Sequence, residues 1–169
     1  MKIKGSILLV LFSFNLGDGS LSMEEIDQEN IELNSPIRLD NNLVVTIVER
    51  PEVCTRRAKK SDVVTVDYTG RFNDSNGEIF ETNKAKGDEY KYNFQLGRGR
   101  VIEGYELGAP GICVGETRTF LTPPELAYGS RGSGKIPPNA TLHFTVTCTS
   151  IRDGELPPPP KIYRTYEVS

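Results

Sequence analysis

The chain has 169 residues, 37% of them hydrophobic and 25% charged, which suits a single soluble domain with one core and would leave two separate domains each marginal. A formal net charge of −3 gives no basic footprint for nucleic acid, so DNA and RNA binding are not expected. There is no Walker-type loop, His/Cys metal cluster or EF-hand loop, and neither a cofactor nor a metal is expected.

At the start of the chain, Lys2 and Lys4 precede an apolar stretch from Ile7 to Leu16, and the small residues Gly17, Gly19, Ser20 and Ser22 follow. This is the pattern of a cleavable signal peptide over residues 1–19. The apolar stretch is about half of the roughly 20 residues that span a bilayer, so no membrane attachment is expected after cleavage. Glu24, Glu25, Asp27, Glu29 and Glu32 crowd residues 20–40, which read as a solvated acidic linker.

Beyond the linker the hydrophobic period becomes two. Leu43 to Val48 predicts a strand, and Val63 to Phe72 a second in which Val64, Val66 and Tyr68 share a face. Tyr92 to Leu96, Thr117 to Thr122 and Thr141 to Ile151 predict three more. Val101 to Leu107, bounded by Gly97, Gly99 and Gly108, suits a short helix despite Gly104 inside it. The turn-rich cluster Asn73 to Gly77 and the Gly/Pro-rich stretch Tyr128 to Pro138 read as loops, the longer one a place for function. Residues 153–169 form a tail in which Pro157 to Pro160 predict a stiff polyproline II spacer. The final Tyr166-Glu167-Val168-Ser169 is not a Lys-Asp-Glu-Leu type signal, so either the reticulum lumen or export is expected.

An oxidising destination allows one disulfide among the three cysteines. Cys148 is in phase with Leu142, Phe144 and Val146 and reads as a core residue, leaving Cys54 and Cys113 as the pair. His143, the one histidine, alternates with Leu142 and Phe144 and should point away from the core rather than act as a base. Asn73-Asp74-Ser75 and Asn139-Ala140-Thr141 are glycosylation sequons, and Asn73, in a turn, is the better acceptor.

Five strings follow one another in order: Val66-Asp67-Tyr68-Thr69-Gly70, Phe94-Gln95-Leu96-Gly97, Val101-Ile102-Glu103-Gly104-Tyr105, Ala127-Tyr128-Gly129 and Ile136-Pro137-Pro138-Asn139-Ala140-Thr141-Leu142. Together they resemble the FKBP family of peptidyl-prolyl cis/trans isomerases, from about Leu43 to Arg152, within a domain drawn at residues 41–152. Cys54 and Cys113, the latter inside Gly111-Ile112-Cys113-Val114-Gly115-Glu116, look like the cysteine pair of the endoplasmic-reticulum members.

The resemblance implies an α+β fold in which a twisted antiparallel sheet half-wraps one short helix. It also implies a proline pocket lined by Tyr68, Phe80, Tyr92, Val101, Ile102, Tyr128, Ile136 and Phe144, with Tyr105 as its floor. Ile102 would offer its backbone N–H, and Tyr128 its hydroxyl, to substrate carbonyls. The implied partners are proline-containing polypeptides and macrolide inhibitors, and the implied state is a monomer. The chain departs from the family pattern at Tyr105, where Trp is usual, at Glu81, where Asp is usual, and at Tyr92, where many members have Phe. The loop from Tyr128 to Ile136 is one residue shorter than in the small cytosolic form. These departures keep a second reading in view, a secreted module that uses the pocket for binding with little isomerase activity.

Overall fold

The computed structural model describes residues 31–84 and 91–154. The expected signal peptide, residues 20–30 of the expected acidic linker and residues 155–169 of the expected tail lie outside them. Among the described residues seven strands run β1 (Pro36–Arg38), β2 (Val44–Glu49), β3 (Val63–Phe72), β4 (Ile79–Thr82), β5 (Tyr92–Gln95), β6 (Thr117–Thr122) and β7 (Leu142–Arg152), with one α-helix, α1 (Glu103–Gly108), between β5 and β6. The sheet order is β1-β2-β6-β7-β3-β4, and β5 also pairs with β3. All pairings are antiparallel. The sheet with its single short helix is the α+β architecture expected.

The two long period-two stretches make the centre of the sheet. β3 and β7 pair from Val63 opposite Arg152 to Phe72 opposite Leu142, with a register shift between Thr65 and Val66. On β7 the alternation is regular, Leu142, Phe144, Val146 and Cys148 buried and the residues between them half-buried. Two strands escaped the sequence reading. β1 lies in the segment read as linker, so the sheet begins at Pro36, ahead of residue 41, and Leu39 just beyond it is buried in the core. β4 is a four-residue edge strand that carries Phe80 and Glu81.

The helix lies close against β6. A Cβ on Gly104 would come within 2.5 Å of Thr122 Cγ2, and one on Gly108 within 2.8 Å of the Phe120 ring. Glycine inside the helix costs about 1 kcal/mol of propensity, but here it permits the approach that sinks Tyr105 into the core.

Cys54 and Cys113 form a disulfide with Cα atoms 5.8 Å apart, closing a 59-residue separation. Cross-linking a loop of this length contributes about 3–5 kcal/mol in the chain-entropy account. Cys148 is free and buried. Burial first, then the nearby Glu116 charge, pushes its thiol up to about 12, so it stays protonated and unreactive at neutral pH. Next to it lies a fully buried ion pair. Arg118 Nε donates to Glu116 Oε1 at 2.5 Å, and its Nη1 donates to the carbonyls of Gly108 and Pro110 at 2.8 and 2.9 Å. Glu116 Oε2 also accepts from the Cys113 N–H at 3.3 Å. The pair thus ties the end of α1 and the disulfide to β6.

Candidate active site

Residues of β3, β4, β5, β7, α1 and the neighbouring loops line a cavity of about 720 Å³. Its most enclosed rings are those of Tyr105 and Phe144, 5% and 4% exposed. Three rings meet Tyr105 edge to face, Phe94 at 5.6 Å, Phe120 at 5.4 Å and Phe144 at 5.1 Å between centroids. These are distances at which such pairs are attractive beyond their area burial. Phe94 comes from β5, Phe120 from β6 and Phe144 from β7, so Tyr105 is gripped from three strands at once.

The walls come from other elements. β3 supplies Tyr68, which meets Tyr92 of β5 at 5.8 Å, edge to face. Val101 and Ile102 lead into α1, with Ile102 as its N-cap residue. A 3₁₀ turn over Pro124–Leu126 delivers Leu126 and Ala127 and then Tyr128, itself 37% exposed. Glu81 of β4 closes the rim beside Tyr68. β4 is fixed there by Asn83, whose Oδ1 accepts from the Tyr68 N–H at 2.6 Å and whose Nδ2 donates to Val66 O at 3.1 Å. Thr82 Oγ1 donates to Tyr68 O at 2.9 Å.

Phe80 and Ile136 lie beside the main cavity. They line an adjoining groove of about 590 Å³, together with Ile79, Ser133 and Lys135, and Glu81 and Tyr128 belong to both spaces. The Phe80 ring stands edge to face with Phe144 at 5.8 Å and so backs the wall of the main cavity. Gly70 makes this possible, because a Cβ there would lie 2.5 Å from the Phe80 ring. Six further residues line the main cavity outside the set expected from the sequence: Gly99, Arg100, Glu103, Ala127, Glu125 and Leu126. The Pro123-Pro124 pair just ahead of Ala127-Tyr128 was the available signal for the last two.

Burial is the leading cause that raises the hydroxyls of Tyr68, Tyr92, Tyr105 and Tyr128 above the ordinary phenol range. The Glu81 carboxylate adds to each, and on Tyr68 it also acts through a hydrogen bond. All four phenols therefore remain protonated at neutral pH and able to donate. His143 faces elsewhere, and burial lowers its pKa, which leaves it neutral at neutral pH. The site has buried aromatic rings, hydroxyl donors at the rim and no nucleophile–base pair among its lining residues, so it suits binding and orienting a chain rather than covalent chemistry.

Comparison with known proteins agrees with this arrangement. The family model for FKBP-type peptidyl-prolyl cis-trans isomerase matches residues 54–149. FK506-binding protein 2 of Yarrowia lipolytica is 47% identical over 107 residues, 62% of this chain and 72% of that protein. Peptidyl-prolyl cis-trans isomerase FKBP14 of Mus musculus is 36% identical over 110 residues, 65% of this chain and about half, 52%, of the relative. Among solved structures, FkpA from Escherichia coli superposes with a TM-score of 0.61 at 32% identity, covering 71% of this chain and 53% of that one. From its residues, its sheet and these relatives, the chain belongs to the FKBP-type peptidyl-prolyl cis-trans isomerase family.

Proposed function

We propose that this chain rotates Xaa-Pro bonds of polypeptides folding in the secretory pathway, with the proline ring seated over Tyr105. The observation that carries the reading is the placement of Tyr128 and Ile102 on one cavity with the buried ring of Tyr105. The barrier to rotation, roughly 18–20 kcal/mol, is the resonance of the amide. In the planar ground state that resonance places negative charge on the carbonyl oxygen. In the twisted transition state it is lost, and the nitrogen lone pair becomes localised. A desolvated aromatic pocket therefore disfavours the planar form relative to the twisted one. The Ile102 N–H and the Tyr128 hydroxyl donate to substrate carbonyls and hold the flanking chain in the twisted geometry. No bond breaks and no acid or base is needed, which accords with a site without histidine.

Tyr128→Phe keeps the ring and removes only the donor. One neutral hydrogen bond is worth about 0.5–1.5 kcal/mol, so turnover of an Xaa-Pro peptide should fall about twofold to tenfold with thermal unfolding unchanged. Unchanged turnover in this variant removes Tyr128 from the mechanism. A wild type that does not accelerate exchange at all sinks the isomerase reading itself.

The secretory setting is supported by the signal pattern in residues 1–19 and by the Cys54–Cys113 disulfide, which an oxidising compartment would preserve. Asn73 is proposed as the glycan acceptor. It is exposed, sits in the turn after β3 at φ 62°, and lies outside the residues lining the main cavity. Material made in a secretory host should begin between residues 20 and 23 and shift on deglycosylation unless Asn73 is replaced. Denatured without reductant it should titrate one thiol. A chain starting at Met1 with three titratable thiols overturns this setting.

A further inference from the structure

The segment that carries Val101, Ile102 and Tyr105 is closed on itself by one side chain. Glu106 Oε2 accepts from the Gly97 N–H at 2.6 Å and Glu106 Oε1 from the Gly99 N–H at 2.7 Å. The backbone N–H groups of Glu106 and Tyr105 donate in turn to the carbonyl of Ile102, at 3.4 and 2.9 Å. The stretch from Gly97 to Glu106 is therefore a ring with Glu106 as its clasp. Gly97 to Arg100 belong to no strand or helix and are exposed, and both glycines sit at positive φ, 72° and 60°. Such a stretch has little of its own to resist fluctuation. A carboxylate accepting two short N–H bonds is a strong local restraint, because each bond is charge-assisted. Gly99, Arg100, Val101 and Ile102 all face the main cavity, whereas Glu106 is not among the residues that line it; it lies on a separate small space with Lys60, Leu96 and Pro110.

We propose that Glu106 is a positioning residue for the isomerase, fixing the direction of the Ile102 N–H by clamping the loop before it to the helix that bears Tyr105. The proposal rests on the isomerase reading of the cavity. Glu106 touches no substrate and acts through the loop. Its reach matters as much as its charge, since the two oxygens must span two alternate amides from a fixed position on α1. A donor that swings freely is aligned in only part of the ensemble, and misplacement on the order of 1 Å costs up to about a hundredfold in orientation-dependent catalysis.

The test compares Glu106→Ala, Glu106→Gln and Glu106→Asp in the full chain, by turnover of an Xaa-Pro peptide and by amide hydrogen exchange. Glu106→Ala should lower kcat about tenfold with KM within about twofold, as expected when an interaction made in the transition state is lost. Its Gly97 and Gly99 amides should exchange about tenfold faster, while those of β3 and β7 keep their protection. Glu106→Gln retains one carbonyl acceptor and should lose about threefold in kcat. Glu106→Asp keeps the charge but is one methylene shorter, and should resemble Glu106→Ala. Wild-type turnover in Glu106→Ala, or in Glu106→Asp, overturns the positioning role while the isomerase reading stands. So does a fall in turnover that occurs only together with loss of protection in β3 and β7, which would make Glu106 merely structural. A wild type without catalysis overturns the isomerase reading first, before any variant is compared.

Discussion

Glu116→Ala should destabilise the domain by about 3–5 kcal/mol, the typical cost of removing one partner from a buried ion pair. Arg118 is fully buried, and burial already pulls its pKa below the usual guanidinium value against the opposing pull of Glu116. Without the carboxylate its charge would lose the paired anion while the carbonyls of Gly108 and Pro110 supply only dipoles, and the Cys113 N–H would lose its Glu116 acceptor. A domain of this size is stable by roughly 5–15 kcal/mol, so a large part of the total is at stake. The midpoint of thermal unfolding should drop by about 10–20 °C. Replacing both members, Glu116→Met with Arg118→Met, should recover much of the loss, because apolar side chains of similar volume remove the uncompensated charge as well as the pair. If Glu116→Ala unfolds within about 1 kcal/mol of the wild type, the pair is not holding α1 to β6. If the double variant is less stable than Glu116→Ala, the unpaired charge is not the cause of the loss.

That pair also marks where sequence reading ran out. β3 and β6 were legible to the residue, and β7 to within one, because period two survives wherever one face of a strand is buried. On β6 the pattern was right and its meaning hidden. Thr117 and Arg118 are adjacent and both buried, and nothing in an alternating string distinguishes a buried, paired arginine from a solvated one. β1 and β4 were missed for a different reason. Each has three or four residues, β1 begins with a proline, and β4 pairs across a register shift between Gly70 and Arg71, so their strand character comes from the partner and not from local pattern. At the site, the fold brings Tyr68, Val101, Ile102, Tyr105 and Tyr128 of the ordered motifs to one cavity and sets Ile136 on the adjoining groove with Phe80 of β4, a neighbourhood that the motifs do not display. Nor could they reveal Glu106, whose bonds depend on the backbone path of two glycines and on no spacing that a sequence displays.

The largest functional effect is expected at Tyr105. Tyr105→Ala should abolish measurable turnover, since it removes the ring proposed to seat proline. It should also cost about 3–5 kcal/mol, because Phe94, Phe120 and Phe144 each lose an edge-to-face partner and a cavity opens among them. That result alone would confound folding with catalysis, so the two are separated by size. Tyr105→Leu keeps much of the apolar contact and should leave a folded domain whose turnover falls by more than tenfold, which corresponds to about 1.4 kcal/mol or more of lost transition-state stabilisation. Tyr105→Trp enlarges the floor. The Tyr105 ring is enclosed by three rings at 5.1 to 5.6 Å, so added volume must be taken up toward the open cavity, with an overpacking cost of about 1–3 kcal/mol if it is not. The indole also replaces a desolvated phenol hydroxyl with a wider apolar face. Tyr105→Trp should therefore raise turnover above the wild type even where it lowers the unfolding temperature. The opposite signs are what identify the floor as catalytic: a residue serving only the core would make activity follow stability in every variant. If the folded Tyr105→Leu protein turns over an Xaa-Pro peptide as fast as the wild type, proline does not sit on Tyr105 and the mechanism proposed for this cavity fails.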